Sequence, residues 1–469
     1  MERMRKILFA VLGLLFFFPL VLVLYWHWQY PEPHWDWSAS NTNEVKFPRE
    51  FLWGVASAAH QVEGDCHNNN WSAWENARDT QGRPRIKNAQ VAGKACEHWT
   101  RFREDIRLMQ ELGVKAYRFS MEWSKIEPSE GVIDSSALRH YHEVCAALLV
   151  AGIKPVVTLH HFTHPLWFEA RGAFEREENI AAFVRFSELL FREFHEQVEV
   201  WCTLNEPEVF AAQGYFLGVF PPGKQDPRLT AEVLKNLLLA HVQVYERLKQ
   251  LPGGAQAKIG LVKNIMQFEP SRRWHPLDWL LAHKLNALFT ESILDFFQDG
   301  DFDFSMPGLA SLHYRDERAT HALDFIGLNY YSHLHVKFNW STQEFFKFTF
   351  PDDAVMTDMP YTIYPEGFYR ALQAVQQLGV PIYVTENGIA DARDDRRALF
   401  ITRYLYALQR AMQEGADVRG YFYWSLTDNF EWAEGYDMKF GLYEVDFNTQ
   451  ERKLREGAKA FVQAVKGEK

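Results

Sequence analysis

The chain has 469 residues, a formal net charge of -11 and 15% aromatic residues, among them 16 Trp. With no clustered Lys and Arg, that acidic balance excludes a nucleic-acid-binding role, since phosphate recognition needs a basic surface. No Gly-rich phosphate loop occurs. Cys66, Cys96, Cys145 and Cys202 form no C-x-x-C pair and have no His at metal spacing, so neither a metal nor a cofactor is expected. The four cysteines read as buried thiols, with Cys66, in a polar loop, placed to pair in an oxidising compartment.

Residues 1–30 form a unit of their own. Arg3, Arg5 and Lys6 precede an uncharged run from Ile7 to Trp26, long enough to cross a hydrocarbon core of about 20 helical residues. The run closes in Tyr25, Trp26 and Trp28 and has no A-x-A site, which favours an uncleaved signal anchor over a cleaved signal peptide. The basic leader puts the N-terminus in the cytoplasm and the remainder outside it, making the membrane a partner through this helix. Residues 31–46 read as a polar tether, and residues 47–469 as the catalytic domain.

From Phe51 a short apolar strand followed by an amphipathic helix recurs eight times. The strands are expected at 51–64, 116–123, 154–162, 198–206, 258–264, 324–331, 381–386 and 420–426. Helices are expected at 95–112, up to Gly152, 179–195, 231–251, 278–297, 365–378, 398–414 and 456–465. Such regular alternation predicts an α/β chain closed into a (β/α)8 TIM barrel. Polar residues at the ends of strands one, three, four, six, seven and eight agree, because only a closed ring gathers all of them at one mouth. The longest loops, about 332–360 and 427–455, are expected to shape a cleft.

Two strands end in glutamates set in longer motifs. V-E-V-W-C-T-L-N-E-P delivers Glu206 beside Asn205, and P-I-Y-V-T-E-N-G delivers Glu386. A lone Glu after a strand is usually a solvated loop carboxylate; a pair, one ionised and one protonated, is what glycoside hydrolysis requires.

The stretches T-L-N-E-P, T-E-N-G, F-L-W-G-V-A-S-A-A-H-Q-V-E-G, D-F-I-G-L-N-Y-Y and Y-F-Y-W-S-L-T-D-N-F-E-W-A-E-G-Y together resemble glycoside hydrolase family 1, the retaining β-glucosidases and β-galactosidases, across residues 47–466. The resemblance implies Glu206 as acid/base and Glu386 as nucleophile. It implies support from Arg118, which would hold Glu386 ionised, from Tyr331, a donor to the nucleophile, and from Asn205, a donor to the sugar 2-hydroxyl. Gln61, His161, Asn205 and Glu431 would supply polar contacts to the sugar, and Trp424 and Trp432 the stacking surface.

Glu431 with Trp432 favours a neutral sugar over a phospho-sugar, and Glu206 in place of Gln argues against a thioglucosidase. Retention of both glutamates argues against a silent klotho-like binding protein. The anchor leaves open a second reading, transglycosylation onto a glycolipid by a galactolipid-remodelling type of enzyme. The chain departs from the commonest family pattern at Phe162, in H-H-F-T-H-P-L-W, and at Lys125 and Lys439. Phe162 bears on the shape of the glycone site.

Overall fold

The structure, a computed structural model, describes residues 17–40, 42, 45–341 and 346–467. Eight strands lie in the barrel wall: β1 Leu52–Ala56, β2 Ala116–Ser120, β3 Lys154–His160, β4 Val200–Asn205, β5 Lys258–Asn264, β6 Phe325–Asn329, β7 Ile382–Asn387 and β8 Val418–Trp424. Every neighbouring pair is parallel, and β1 pairs with both β2 and β8, closing the ring. Strands buried on both faces need no alternating polar side, which is why β4, β6 and β7 are buried at every position and open on apolar runs that turn polar only toward their C-terminal ends.

The outer ring consists of α1 His98–Leu112, α2 Ser135–Val150, α3 Ile180–Phe194, α4 Pro227–Lys249, the helix Ser292–Asp299, α6 Pro365–Gln376, α7 Arg397–Gln413 and α8 Lys459–Lys466, while α5 Pro276–Asn286 lies outside it, with Ala282 packed on Phe268 and Val336. In α3 the buried stripe Ile180, Phe183, Phe186, Leu190, Phe191 and Phe194 follows helical spacing and faces the sheet. Asp134 caps α2 by accepting from the Ser136 and Ala137 amides, a contact that stabilises a helix start by about 1 kcal/mol. One apolar core runs between strands and helices around the whole ring.

Three differences from the expected elements bear on the site. The first strand stops at Ala56, and A-H-Q-V turns into a helical segment, Ala59–Val62, so Gln61 sits on a turn that Ser120 Oγ fixes by accepting from the Ala59 amide at 2.8 Å. The long loops after β6 and β8 hold further strands. Residues His333–Phe338 pair with Phe346–Thr349 and with Gln267–Pro270, and Tyr443–Asp446 pairs with Glu451–Leu454. A hairpin of Asp301–Met306 and Ala310–Arg315, its burial alternating with period two, precedes β6. All four cysteines are buried free thiols; Cys66 lies under its loop with its thiol on the Gly64 carbonyl, away from any disulfide partner.

Of the expected anchor, Ile7 to Phe16 lies outside the described residues. Residues 17–29 are helical, with Val23 and Trp26 packed against Trp279 of α5. Among the described residues no helix is long and apolar enough to cross a membrane. The segment expected as a tether runs along the barrel. Trp35 packs against Tyr369 and Tyr406 with the Arg410 guanidinium over its ring, and the Trp35 amide and Trp37 indole both donate to Glu366.

Candidate active site

Glu386 is the penultimate residue of β7, where the register with β6 and β8 shifts after Val384, a local irregularity that re-aims a side chain near a strand end. Gly388 follows because a Cβ there would run into the Trp424 carbonyl of β8. The Arg118 guanidinium, fully buried on β2, donates through Nη1 to Glu386 Oε1 at 2.6 Å and through Nη2 to Asn205 Oδ1 at 2.7 Å, while Nε reaches Thr158 Oγ1 at 3.1 Å. One planar fork thus ties the ends of β2, β3, β4 and β7 together. Tyr331, just beyond β6, donates to Glu386 Oε2 at 2.7 Å. Burial and then the Glu386 charge push the Tyr331 phenol well above its ordinary range, so it remains a donor.

Glu206 follows β4 in a left-handed conformation, φ 45° and ψ 63°. The right-handed alternative is disfavoured ahead of Pro207, which opens the helix Pro207–Ala211, and the Glu206 amide continues the barrel ladder by donating to the Val262 carbonyl at 2.8 Å. A non-glycine residue here stores about 1 kcal/mol or more of strain, held by the surrounding barrel. Its Oε1 accepts from two amides, Asn264 Nδ2 and Asn329 Nδ2, both at 2.8 Å.

The two carboxyls therefore live in different surroundings. Glu386 has a guanidinium and a phenol; Glu206 has only neutral amides. Burial first, then the charges of Glu386 and Glu208, push Glu206 up to about 8, against the smaller opposing pull of the Asn329 and Asn264 donors. At neutral pH this arrangement offers one proton donor and one acceptor facing the same mouth, the division of labour that paired-carboxylate chemistry needs.

Every expected site residue lies in this mouth. Gln61 Nε2 is shared between Phe430 O at 2.9 Å, Asn429 Oδ1 at 3.2 Å and Glu431 Oε2 at 3.3 Å, and its buried Oε1 has no partner among the described residues. Burial and then the Glu386 charge raise Glu431 to about 8. Asn205 Nδ2 donates to His161 Nε2 at 3.1 Å, which leaves the His161 proton on Nδ1, a buried nitrogen that also has no partner among the described residues. Burial, then Arg118, holds His161 well below the usual imidazole range, so the ring is neutral. It stacks between Trp424 at 5.8 Å and Trp432 at 6.0 Å. An orphaned acceptor and an orphaned donor beside two indoles form a surface built for a polar ring. Phe162, in a left-handed conformation at φ 66°, packs edge-on against Trp432 at 5.3 Å.

Sequence reasoning missed several parts. Asn329 joins both halves: its Nδ2 serves Glu206 and Asn205, and its Oδ1 accepts from Thr385 Oγ1 at 2.7 Å. Asn264 ends β5, one of the two strands for which no polar terminus was singled out. Its backbone N–H donates to Glu208 Oε1 at 2.7 Å, and Glu208 in turn meets Lys263 Nζ at 3.1 Å in a fully buried pair. Burial pushes the Glu208 carboxyl up and the Lys263 ammonium down. A terminal Asn on strands five and six was the available signal.

The family model described as Glycosyl hydrolase family 1 matches residues 43–469. Beta-glucosidase A of Thermotoga maritima is 36% identical over 450 residues, covering 90% of this chain and 98% of the relative. Beta-glucosidase 47 of Arabidopsis thaliana is 32% identical over 453 residues, covering 87% and 83%. Among solved structures, the beta-glycosidase from Pyrococcus horikoshii superposes with a TM-score of 0.80 at 38% identity, covering 90% of this chain and 95% of that one. The family 1 b-glucosidase from Thermotoga maritima gives 0.81 at 33% identity, covering 90% and 98%.

The contrast between the carboxyls yields a direct expectation. Removing the Glu386 charge removes one of the causes that raise Glu206, so Glu386→Gln is expected to bring the Glu206 carboxyl below its value of about 8 in the parent. Titration by carbon-13 NMR of labelled Glu measures it, and an unchanged or higher Glu206 value would contradict the coupling.

Proposed function

The chain belongs to glycosyl hydrolase family 1 and is a retaining β-glycosidase, and we propose that it removes terminal β-D-glucosyl and β-D-galactosyl units with Glu386 as nucleophile and Glu206 as acid/base. The observation that carries this reading is the split environment of the two carboxyls, one on Arg118 and Tyr331, the other raised to about 8. Action on glucosides is supported by the relatives named β-glucosidase.

In the first step a Glu386 oxygen attacks the anomeric carbon while Glu206 gives its proton to the departing glycosidic oxygen. Retention asks for carboxyls about 5–5.5 Å apart, close enough for direct attack. Ester formation cancels the Glu386 charge, and with it one of the reasons for Glu206 to hold a proton. Glu206 then takes a proton from water as the water oxygen attacks the same carbon, and Glu386 leaves as carboxylate. Two inversions give net retention. Gln61 Oε1, His161 Nδ1, Asn205 and Glu431 would hold the sugar hydroxyls, and Trp424 and Trp432 its apolar face.

A second proposal is that the N-terminal segment attaches the enzyme to a membrane, with the catalytic domain on the extracytoplasmic side. It rests on the helix of residues 17–29, which leaves Phe17, Phe18, Leu20, Val21, Leu24, Tyr25 and Trp28 exposed, and on the uncharged sequence that continues back to Ile7. Anchorage of this kind would bring the mouth to glycolipid head groups, and a lipid-borne sugar hydroxyl could then replace water as acceptor.

Two measurements test these proposals. Glu386→Ala is expected to lose about four orders of magnitude in kcat and to recover with azide, giving an α-glycosyl azide, whereas Glu206→Ala with azide gives the β-anomer. The same anomer from both variants, or substantial turnover by Glu386→Ala without azide, would contradict the assignment. Full-length protein is expected to stay with membranes through a carbonate wash; its release into the wash would contradict anchorage.

A further inference from the structure

Beside the loop that follows β6, a cluster of ligating side chains joins two distant parts of the chain. His333 and His335 alternate on the strand His333–Phe338, so both rings leave the same face; both are buried, with centroids 4.8 Å apart. Glu32, from the N-terminal segment, meets them there. Its Oε1 lies 3.5 Å from His335 Nε2, and one ligand atom from each of the three residues lies within 4.8 Å of the other two. At the rim, His34 Nε2 is 3.9 Å from Glu32 Oε2 on an exposed ring that is free to turn.

Several features separate this cluster from a simple ion pair. Thr362 Oγ1 lies 3.2 Å from His333 Nδ1, the kind of outer contact that orients a ligating imidazole and leaves Nε2 available. His335 Nδ1 is buried with no hydrogen-bond partner among the described residues. Arg273 opposes a cation from 3.6 Å on Glu32 Oε2; it also lies 3.8 Å from Glu269 Oε2, a carboxylate whose other oxygen is held by Arg370.

Two imidazoles and a carboxylate suit zinc, whereas magnesium and calcium take oxygen ligands. Zinc bonds of about 2.0–2.1 Å set tetrahedral edges of about 3.3 Å, close to the present Glu32–His335 separation of 3.5 Å; the other two edges, within 4.8 Å, shorten by side-chain rotation as the ion binds. We propose that Glu32, His333 and His335 bind a zinc-class divalent cation, with His34 or water as fourth ligand, and that the ion clamps the N-terminal segment to the loop after β6. None of these residues belongs to the proposed reaction machinery, so the ion would set where the segment lies and leave the glycosidic chemistry to the carboxyl pair.

The test uses untagged full-length protein, stripped with a chelator and titrated calorimetrically with zinc alone and with magnesium alone. About one equivalent of zinc is expected to bind, with magnesium much weaker, and Glu32→Gln and His335→Gln are each expected to weaken zinc binding by about tenfold or more. Glu32 lies on the surface segment, so its substitution leaves the barrel core intact. Zinc is also expected to slow proteolysis within residues 31–46 of the parent and not of Glu32→Gln, with kcat on a small glycoside unchanged. Absence of zinc binding, equal binding of magnesium, or parental zinc affinity in both variants would overturn the proposal.

Discussion

Burying the Arg118 guanidinium among the ends of β2, β3, β4 and β7 costs several kcal/mol in lost hydration, and the site is arranged to offset that cost. Glu386, Asn205 and Thr158 each occupy one edge of the fork. Because the Arg118 guanidinium is committed to Glu386 and the Lys263 ammonium to Glu208, Glu206 receives amide donors and is left to bear the desolvation of its own charge. The asymmetry between two chemically identical side chains comes from which of them faces Arg118. Removing the cation would leave Glu386 buried without a counter-charge and erase the distinction.

Only a closed barrel can meet that requirement. The two glutamates and their partners come from β2, β4, β5, β6 and β7, whose ends converge at one mouth because the ring closes through β1 and β8. Backbone irregularities occur at the same place: the left-handed Glu206, Phe162 and Trp432, and the shifted register around Glu386. Rigid strands hold these residues in conformations that a free loop would relax.

The sequence made the barrel legible because strands buried on both faces carry no alternating polar side, and the two glutamates stood out near the ends of such runs. Helix positions followed from the spacing of residues such as Phe183, Phe186 and Leu190. Other parts depended on neighbours far away in the chain. The turn holding Gln61 forms where an alanine-rich stretch meets Ser120. Asn264 and Asn329 are short polar residues whose importance appears only when Glu206 is beside them. The packing of Trp35 and Trp37 on α6 and α7, and of Glu32 against two histidines, joins regions that no local pattern links.

The central claim, that Glu386 forms a covalent bond with the sugar while Glu206 manages the proton, is tested most directly by trapping that bond. A 2-deoxy-2-fluoro-β-glucoside with an activated leaving group slows both steps but lets the first proceed, so the glycosyl-enzyme accumulates. Mass spectrometry of the digested protein is expected to find one fluoroglycosyl adduct, on the peptide containing Glu386, with loss of activity in proportion to labelling. Labelling at Glu206 or another residue, or inactivation without any covalent adduct, would contradict the account.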